Sequence, residues 1–229
     1  MKRFLCALIF ISTVSGTSYA AGIFGMGLNA GVSADGGAMG RVMRDVNFMM
    51  RDAGGAVDEM EAPYLPSLAI DFSYCYQSVW IDLGWEYCTS LFMRPEGSIG
   101  GNSVSIDYSR FMFPLTIGYL VPLDKRARFY FAGGVNMSSM MLQVNQSSPG
   151  ALAALPAGKH LFTGYLFGLH FMAGAEAVLS RNYSLVFQYT FFMGKEKTVS
   201  DEDDLAEVTV GGPEFKITAG LRYNLDLGF

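Results

Sequence analysis

The side chains of this chain that could do chemistry are few and widely spaced. They are Asp71, Asp82, Glu86, Arg110, Arg128, His170, Glu176, Lys216 and Arg222, with His160 as the other of two histidines. No Ser-His-acid constellation, metal-ligand spacing, phosphate loop or dinucleotide fingerprint joins them, so neither an enzyme nor a bound metal or cofactor is expected. What these groups can do is pair. Charges of both signs in a narrow, poorly hydrated space must neutralise one another, because an unpaired one costs several kcal/mol. Two arrangements satisfy that demand: a structural salt-bridge plug, or a narrow conduit gated by the pairs. Gly84, Gly118, Gly134, Gly168 and Gly174 share the charged face and leave space for the second.

The elements that must carry these residues are β-strands. From Phe215 to Phe229 apolar and polar or small residues alternate. Phe215, Ile217, Ala219, Leu221, Tyr223, Leu225, Leu227 and Phe229 fall on one face, with Lys216, Thr218, Gly220, Arg222 and Asn224 on the other. The same alternation recurs from Phe24 to Ser33, Tyr64 to Tyr76, Val79 to Leu91, Arg110 to Val121, Arg128 to Met137, Gly164 to Ala177 and Ser184 to Phe191. Each candidate charge lies on the polar face. A two-residue turn at Gln77-Ser78 pairs Cys75 with Trp80, both on that face, so the parity survives the hairpin.

The connections between these eight strands alternate long, short, long, short, long, short, long. Membrane barrels combine short turns at one end with long loops at the other, and carry an apolar outer face with aromatic residues near both edges. The expected fold is therefore an all-β, eight-stranded antiparallel up-and-down transmembrane β-barrel. A soluble barrel would turn its apolar face inward and leave this aromatic face without cover.

Several segments stay open at this level. Between Asp35 and Pro63, Met39, Val42, Met43, Val46 and Met50 recur at helical spacing. They fit an amphipathic helix that caps the barrel mouth or docks a partner, or a loop with incidental methionines. Upstream of Arg110, Val104, Ile106 and Tyr108 put the apolar residues in the opposite phase, which a bulge near Ser109 or a strand extension beyond the membrane would explain. Arg94 to Ser103, Val144 to Lys159 and the acidic stretch Lys195 to Gly212 read as loops, and His160 is expected in a loop with no obvious partner. The run Asp201-Glu-Asp-Asp204 is a solvated face or a recognition surface.

The N-terminus reads as a cleaved signal peptide over 1–20: Lys2 and Arg3, an apolar run from Phe4 to Val14, then Ser18-Tyr19-Ala20. A single barrel domain spans 21–229. Hydrophobic residues make up 51% of the chain and mean hydropathy is +0.26, yet no later stretch is apolar for long enough to cross a bilayer as a helix. Of 16 Lys+Arg and 21 Asp+Glu, removing Lys2 and Arg3 leaves 14 against 21, a net charge of −7 that argues against nucleic acid as a partner. Cys75 and Cys88 remain after cleavage. Cys88 faces Ser67, about eight residues or ~26 Å along the strand from Cys75, so no disulfide is expected.

The C-terminal run Tyr223-x-Leu225-x-Leu227-x-Phe229 resembles the terminal strand of bacterial outer-membrane proteins, which in that family is read by the barrel-assembly machinery. Phe113-Pro-Leu-Thr-Ile-Gly-Tyr119 and Arg128-Phe-Tyr-Phe-Ala-Gly-Gly-Val135 resemble the matching parts of the small eight-stranded barrels of the OmpA, OmpX and OmpW type. The chain stops at its last strand, where OmpA-type proteins continue into a periplasmic domain, which leaves the OmpX-like and OmpW-like barrels. The resemblance implies the outer membrane of a diderm bacterium, periplasmic termini, and outer-membrane lipid and the assembly machinery as partners. For activity it implies a narrow porin-like or OmpW-like channel for small molecules, hydrophobic ones among them. The alternative is a plugged barrel whose loops adhere to surfaces or bind host ligands.

Overall fold

The structure, a computed structural model, describes residues 22–34, 38–53, 57–61, 64–147 and 156–226. The expected signal peptide lies outside the described residues, as do Leu227 and Phe229. Eight long strands form the wall: β1 (Ile23–Ala34), β3 (Leu65–Tyr76), β4 (Val79–Thr89), β6 (Asn102–Pro122), β7 (Ala127–Gln146), β8 (Gly158–Val178), β9 (Tyr183–Gly194) and β12 (Pro213–Asp226). Each pairs antiparallel with its neighbours, β1 pairs with β12, and β6 pairs with both β4 and β7, so the ring closes without a free edge. The molecule is an eight-stranded antiparallel transmembrane β-barrel.

Its exposed face is apolar in a belt. On β6 the outward residues Phe111, Phe113, Leu115 and Ile117 are exposed, and Leu83, Trp85, Phe167 and Phe171 continue the belt round the wall. From Phe111 to Val121 is ten residue steps, ~33 Å along the strand, or ~25 Å along the axis at a tilt of ~40°, the height of a bilayer's apolar core. Aromatic pairs such as Trp85–Phe111 and Phe191–Phe215 stack on this outer surface, with ring centroids 6.2 and 4.7 Å apart.

Above the belt, toward the long connections, the polarity of β6 inverts without any change of register. The pairing with β7 runs unbroken from Val104↔Gln146 to Pro122↔Arg128. Val104, Ile106 and Tyr108 therefore share the inward face with Arg110 and Met112, and all five are buried. No bulge is present at Ser109. The strand extends beyond the membrane, and there the apolar residues turn inward as in a soluble barrel.

What they pack against is helix α1 (Ala38–Asp52). Its Met39, Val42, Met43, Val46 and Met50 are each at most 3% exposed and form one core with Ile106, Leu142, Val144 and Phe162. The helical spacing thus belongs to a helix seated in the barrel mouth. Asn47 holds its exit by exchanging hydrogen bonds with the Met60 backbone, both 3.0 Å. The segment 94–103, read as a loop, contains β5 (Glu96–Ile99), which folds back on β6 through Gly100-Gly101 and pairs with β2 (Val57–Asp58). Both turn glycines have positive φ (55° and 86°), which side-chain-bearing residues rarely adopt. The acidic segment likewise contains a hairpin, β10 (Lys197–Ser200) and β11 (Glu207–Val210), packed on α1 and β8.

Candidate functional site

The chemistry-bearing residues meet inside the wall. Asp71, Asp82, Glu86, Arg110, His170, Glu176, Lys216 and Arg222 are at most 6% exposed, and the Arg128 side chain is 13% exposed. Strand alternation explains why. Each sits at an even step from an inward neighbour on its own strand, as Lys216, Thr218 and Arg222 do on β12.

The charges form three tiers down β12. Nearest the mouth, Arg110 donates two hydrogen bonds to Glu214, 2.6 and 2.7 Å long. This fork is the strong bidentate geometry of a guanidinium and a carboxylate. Next, Lys216 donates to Glu86, and its ammonium lies 5.0 Å from the Phe192 ring centroid. Deepest, Arg222 donates to Asp71 (3.3 Å) and lies 3.9 Å from Glu176, which Arg128 approaches equally closely. Asn29 also donates to Asp71, and Asn224 links Glu176 to Ser184.

Glu214 and Asn29 were missed among the candidates. Glu214 is the next inward position before Lys216, so starting the last strand one residue earlier reveals it. Asn29 is uncharged and carries no comparable signal.

The inward glycines do not leave open space. A Cβ on Gly174 would lie 2.3 Å from Tyr130 Cζ, one on Gly118 3.0 Å from Trp80 Cε3, and one on Gly134 2.7 Å from His170 Cε1. Each faces a large side chain of its direct partner on the adjacent strand. Trp80 and Tyr130 meet with ring centroids 5.1 Å apart, and Arg222 lies 5.4 Å from the Trp80 ring. Together with Met172 and Val186 they obstruct the lower lumen.

Between the second and third tiers lies a small cavity. Lumenal Asp82, Glu86, His170 and Lys216 line it, and so do Ile70 and Trp85 of the apolar outer face. Beside it the β4–β6 ladder is interrupted. Leu83 pairs with Leu115 and Glu86 with Met112, but Gly84–Pro114 and Trp85–Phe113 are skipped. Pro114 has no N–H to give the ladder, and its ring packs against Gly84, where a Cβ would lie 2.9 Å from Pro114 Cγ.

His170 accepts from or donates to Thr116 Oγ1 through Nε2, at 2.8 Å. His160 lies in β8, not in a loop, with Nδ1 3.5 Å from Asp201 and Nε2 2.8 Å from the Pro156 carbonyl. Asp201 is buried at the start of the acidic run and accepts from the Leu205 and Ala206 amides at 2.6 and 3.0 Å. Burial alone would push its carboxyl up, but these donors and His160 hold it below the usual value. Of the C-terminal run, Tyr223 and Leu225 lie on the exposed face. Cys75 and Cys88 are free thiols on β3 and β4, facing Trp80 and Ser67.

No protein-family model matches the chain, and no curated protein sequence does. Among solved structures it is similar to a major outer membrane protein from Thermus thermophilus, at 13% identity and a TM-score of 0.51, covering 88% of this chain and 99% of that one. It is also similar to the outer membrane protein OprG from Pseudomonas aeruginosa (11% identity, TM-score 0.48, 91% and 98% covered). A further match is Neisserial surface protein A (10% identity, TM-score 0.48, 88% and 96% covered). At such identities the likeness is one of fold, that of the small outer-membrane β-barrel.

Proposed function

We propose that this chain is a sealed outer-membrane barrel that presents a folded cap as a binding surface. The observation that carries this reading is the apolar core around α1, which fills the mouth where a pore would open. Behind it stand paired charges and the Trp80–Tyr130 contact. In this reading the termini lie in the periplasm, the apolar belt meets outer-membrane lipid, and the C-terminal run, with Tyr223, Leu225, Leu227 and Phe229, serves the assembly machinery. The cap, built from α1, β5 and the β10–β11 hairpin, then faces outward on a rigid scaffold, where binding segments are commonly found. Exposed Glu202, Asp203 and Asp204 give it an acidic edge.

The test is single-channel recording of the refolded chain, Ala21 to Phe229, in a planar bilayer, after heat-modifiable gel migration has shown a folded barrel. Electrical silence is expected. Discrete, reproducible openings would overturn the sealed-barrel reading in favour of the narrow channel. One observation favours that second reading: beneath the helix core the lumen keeps a cavity lined by Asp82, Glu86, His170 and Lys216.

A further inference from the structure

The two most exposed large apolar side chains among the described residues are neighbours. Leu91 and Phe92, 74% and 79% exposed, lie in the turn between β4 and β5, with Met93 (52%) beside them. The turn stands on a fixed base. Ser90 at its start donates its backbone N–H to the Tyr108 carbonyl (2.8 Å), and its hydroxyl oxygen accepts the Tyr108 N–H (2.7 Å). At its end Arg94 pairs with Asp107 (2.9 Å), and the Pro95 carbonyl accepts from the Ile106 amide (3.0 Å). Ser90 and Pro95 are buried, so the three apolar residues between them are held outward. The same hydrogen bonds set the height of the turn. Tyr108 lies about two residue steps, ~7 Å along β6, above the crossing near Arg110 where the outward face passes from water to lipid. The interfacial layer of a bilayer adds roughly 5–7 Å on each side of the hydrocarbon core. The turn therefore stands within that layer, where aromatic side chains settle. Its apolar surface continues the belt: Met141 (50%) faces outward opposite Ser109, and Tyr64 (61%) leads into β3 on the other side of β4. Across the ring the rim differs. β9 is four strands from β4 in either direction, and the connection leaving it exposes Lys195, Glu196 and Lys197.

We propose that Leu91-Phe92-Met93 anchors the cap in the membrane, seated among the acyl chains of the leaflet on the cap side. The barrel then leans toward β4 and lifts the Lys195–Lys197 rim into water. Lipid is the occupant that the position favours. The three side chains carry no charge, and a protein partner would have to displace the lipid that surrounds the belt at nearly the same height. Held in water on a fixed base, they would form an exposed apolar patch of the kind that marks a contact surface. The contact is the same whether or not the lumen conducts, because the turn lies outside the wall.

Of the two tryptophans, Trp80 is buried in the lumen and Trp85 lies on the outer face. Trp85→Phe removes the outer one and keeps an aromatic ring there. Phe92→Trp and, separately, Phe48→Trp are added to that full mature chain. Each is refolded into phosphatidylcholine bilayers, and heat-modifiable migration confirms the barrel. Relative to W85F alone, the added emission of F92W should be blue-shifted and lost when the lipid is brominated near the headgroup end of its acyl chains. Iodide in the water should leave it largely intact. F48W, on the exposed face of α1, should show the reverse. As a second readout, Phe92→Ser should lower the folding equilibrium constant in those bilayers about tenfold or more, the loss expected for one immersed phenyl ring. Phe48→Ser should leave that constant unchanged. Emission from F92W that iodide quenches as strongly as that from F48W, with no effect of brominated lipid, would overturn the proposal and leave the turn as a surface for a protein partner. Protection from both quenchers, the mark of a second copy seated on the patch, would overturn it as well, as would an unchanged folding constant in folded F92S.

Discussion

Val46→Asp tests whether α1 is the seal. Val46 is 1% exposed and lies in the core that closes the mouth. Losing its burial forfeits ~1.5–3 kcal/mol, and a carboxylate in its place adds several more, because the described residues around it are apolar. A total of at least about 4 kcal/mol shifts the docking equilibrium of the helix by roughly 10³. The membrane-spanning part of the wall does not share that loss, since the helix packs on the upper ends of β6, β7 and β8. V46D should therefore still migrate as a folded, heat-modifiable barrel while the helix leaves its seat. Trypsin should then cut after Arg41, Arg44 or Arg51, and bilayer recordings should show openings that the wild type lacks. Phe48→Asp, on the exposed face of the same helix at 68% exposure, should change neither readout. A V46D barrel that stays silent and as trypsin-resistant as wild type would refute the assignment of α1 as the seal.

Three further outcomes follow from the lumen and the cap. Glu86→Ala leaves Lys216 buried without its partner and should cost ~3–5 kcal/mol in urea unfolding, most of it regained in E86A/K216M. E86A combined with Arg128→Ala should stay silent in bilayers as long as α1 is seated, and openings there would return the gate to the charged pairs. Gly174→Ala would force its Cβ to within 2.5 Å of the Phe187 carbonyl as well as into Tyr130, and should lower stability by ~1–3 kcal/mol. Gly133→Ala, whose nearest neighbour is 3.5 Å away, should be close to neutral in the same assay. The depressed carboxyl of Asp201 contributes stability that is complete above the unfolded value of 3.8 and is lost as pH falls through the lower folded value. Hydrogen exchange at the Leu205 and Ala206 amides should therefore be flat from neutral pH to about pH 5, after correction for intrinsic rates, and lose protection only at stronger acid; loss of protection already near pH 6 would contradict the assignment.

The wall was legible because its rule is local. A strand's side chains alternate, lipid and lumen impose opposite demands on the two faces, and every short turn preserves the parity, so Cys75↔Trp80 and Ser67↔Cys88 could be placed in register from the sequence. Which charges pair was not legible. Lys216 reaches Glu86 across 130 positions of the chain, and Arg110 reaches Glu214 across 104, distances no pattern encodes. The glycines misled for a related reason. A glycine marks where backbone or a large group comes close, but not whether the group is solvent or the Tyr130 ring. The cap was only half legible, since the methionine spacing of α1 fits a helix while its seat depends on Ile106, Leu142 and Phe162 from three different strands.

The inversion along β6 makes one strand obey two solvents. Below Arg110 an outward leucine rests in lipid, and an outward charge would be out of place. Above it, the same substitutions exchange their consequences while the backbone continues unchanged. Substitution tolerance measured along this single strand should therefore switch sign between Ser109 and Phe111. That crossing is a depth gauge written into the chain, fixing where the water boundary must fall to within about one residue step, ~3.3 Å, and so how high the whole cap stands above the membrane surface.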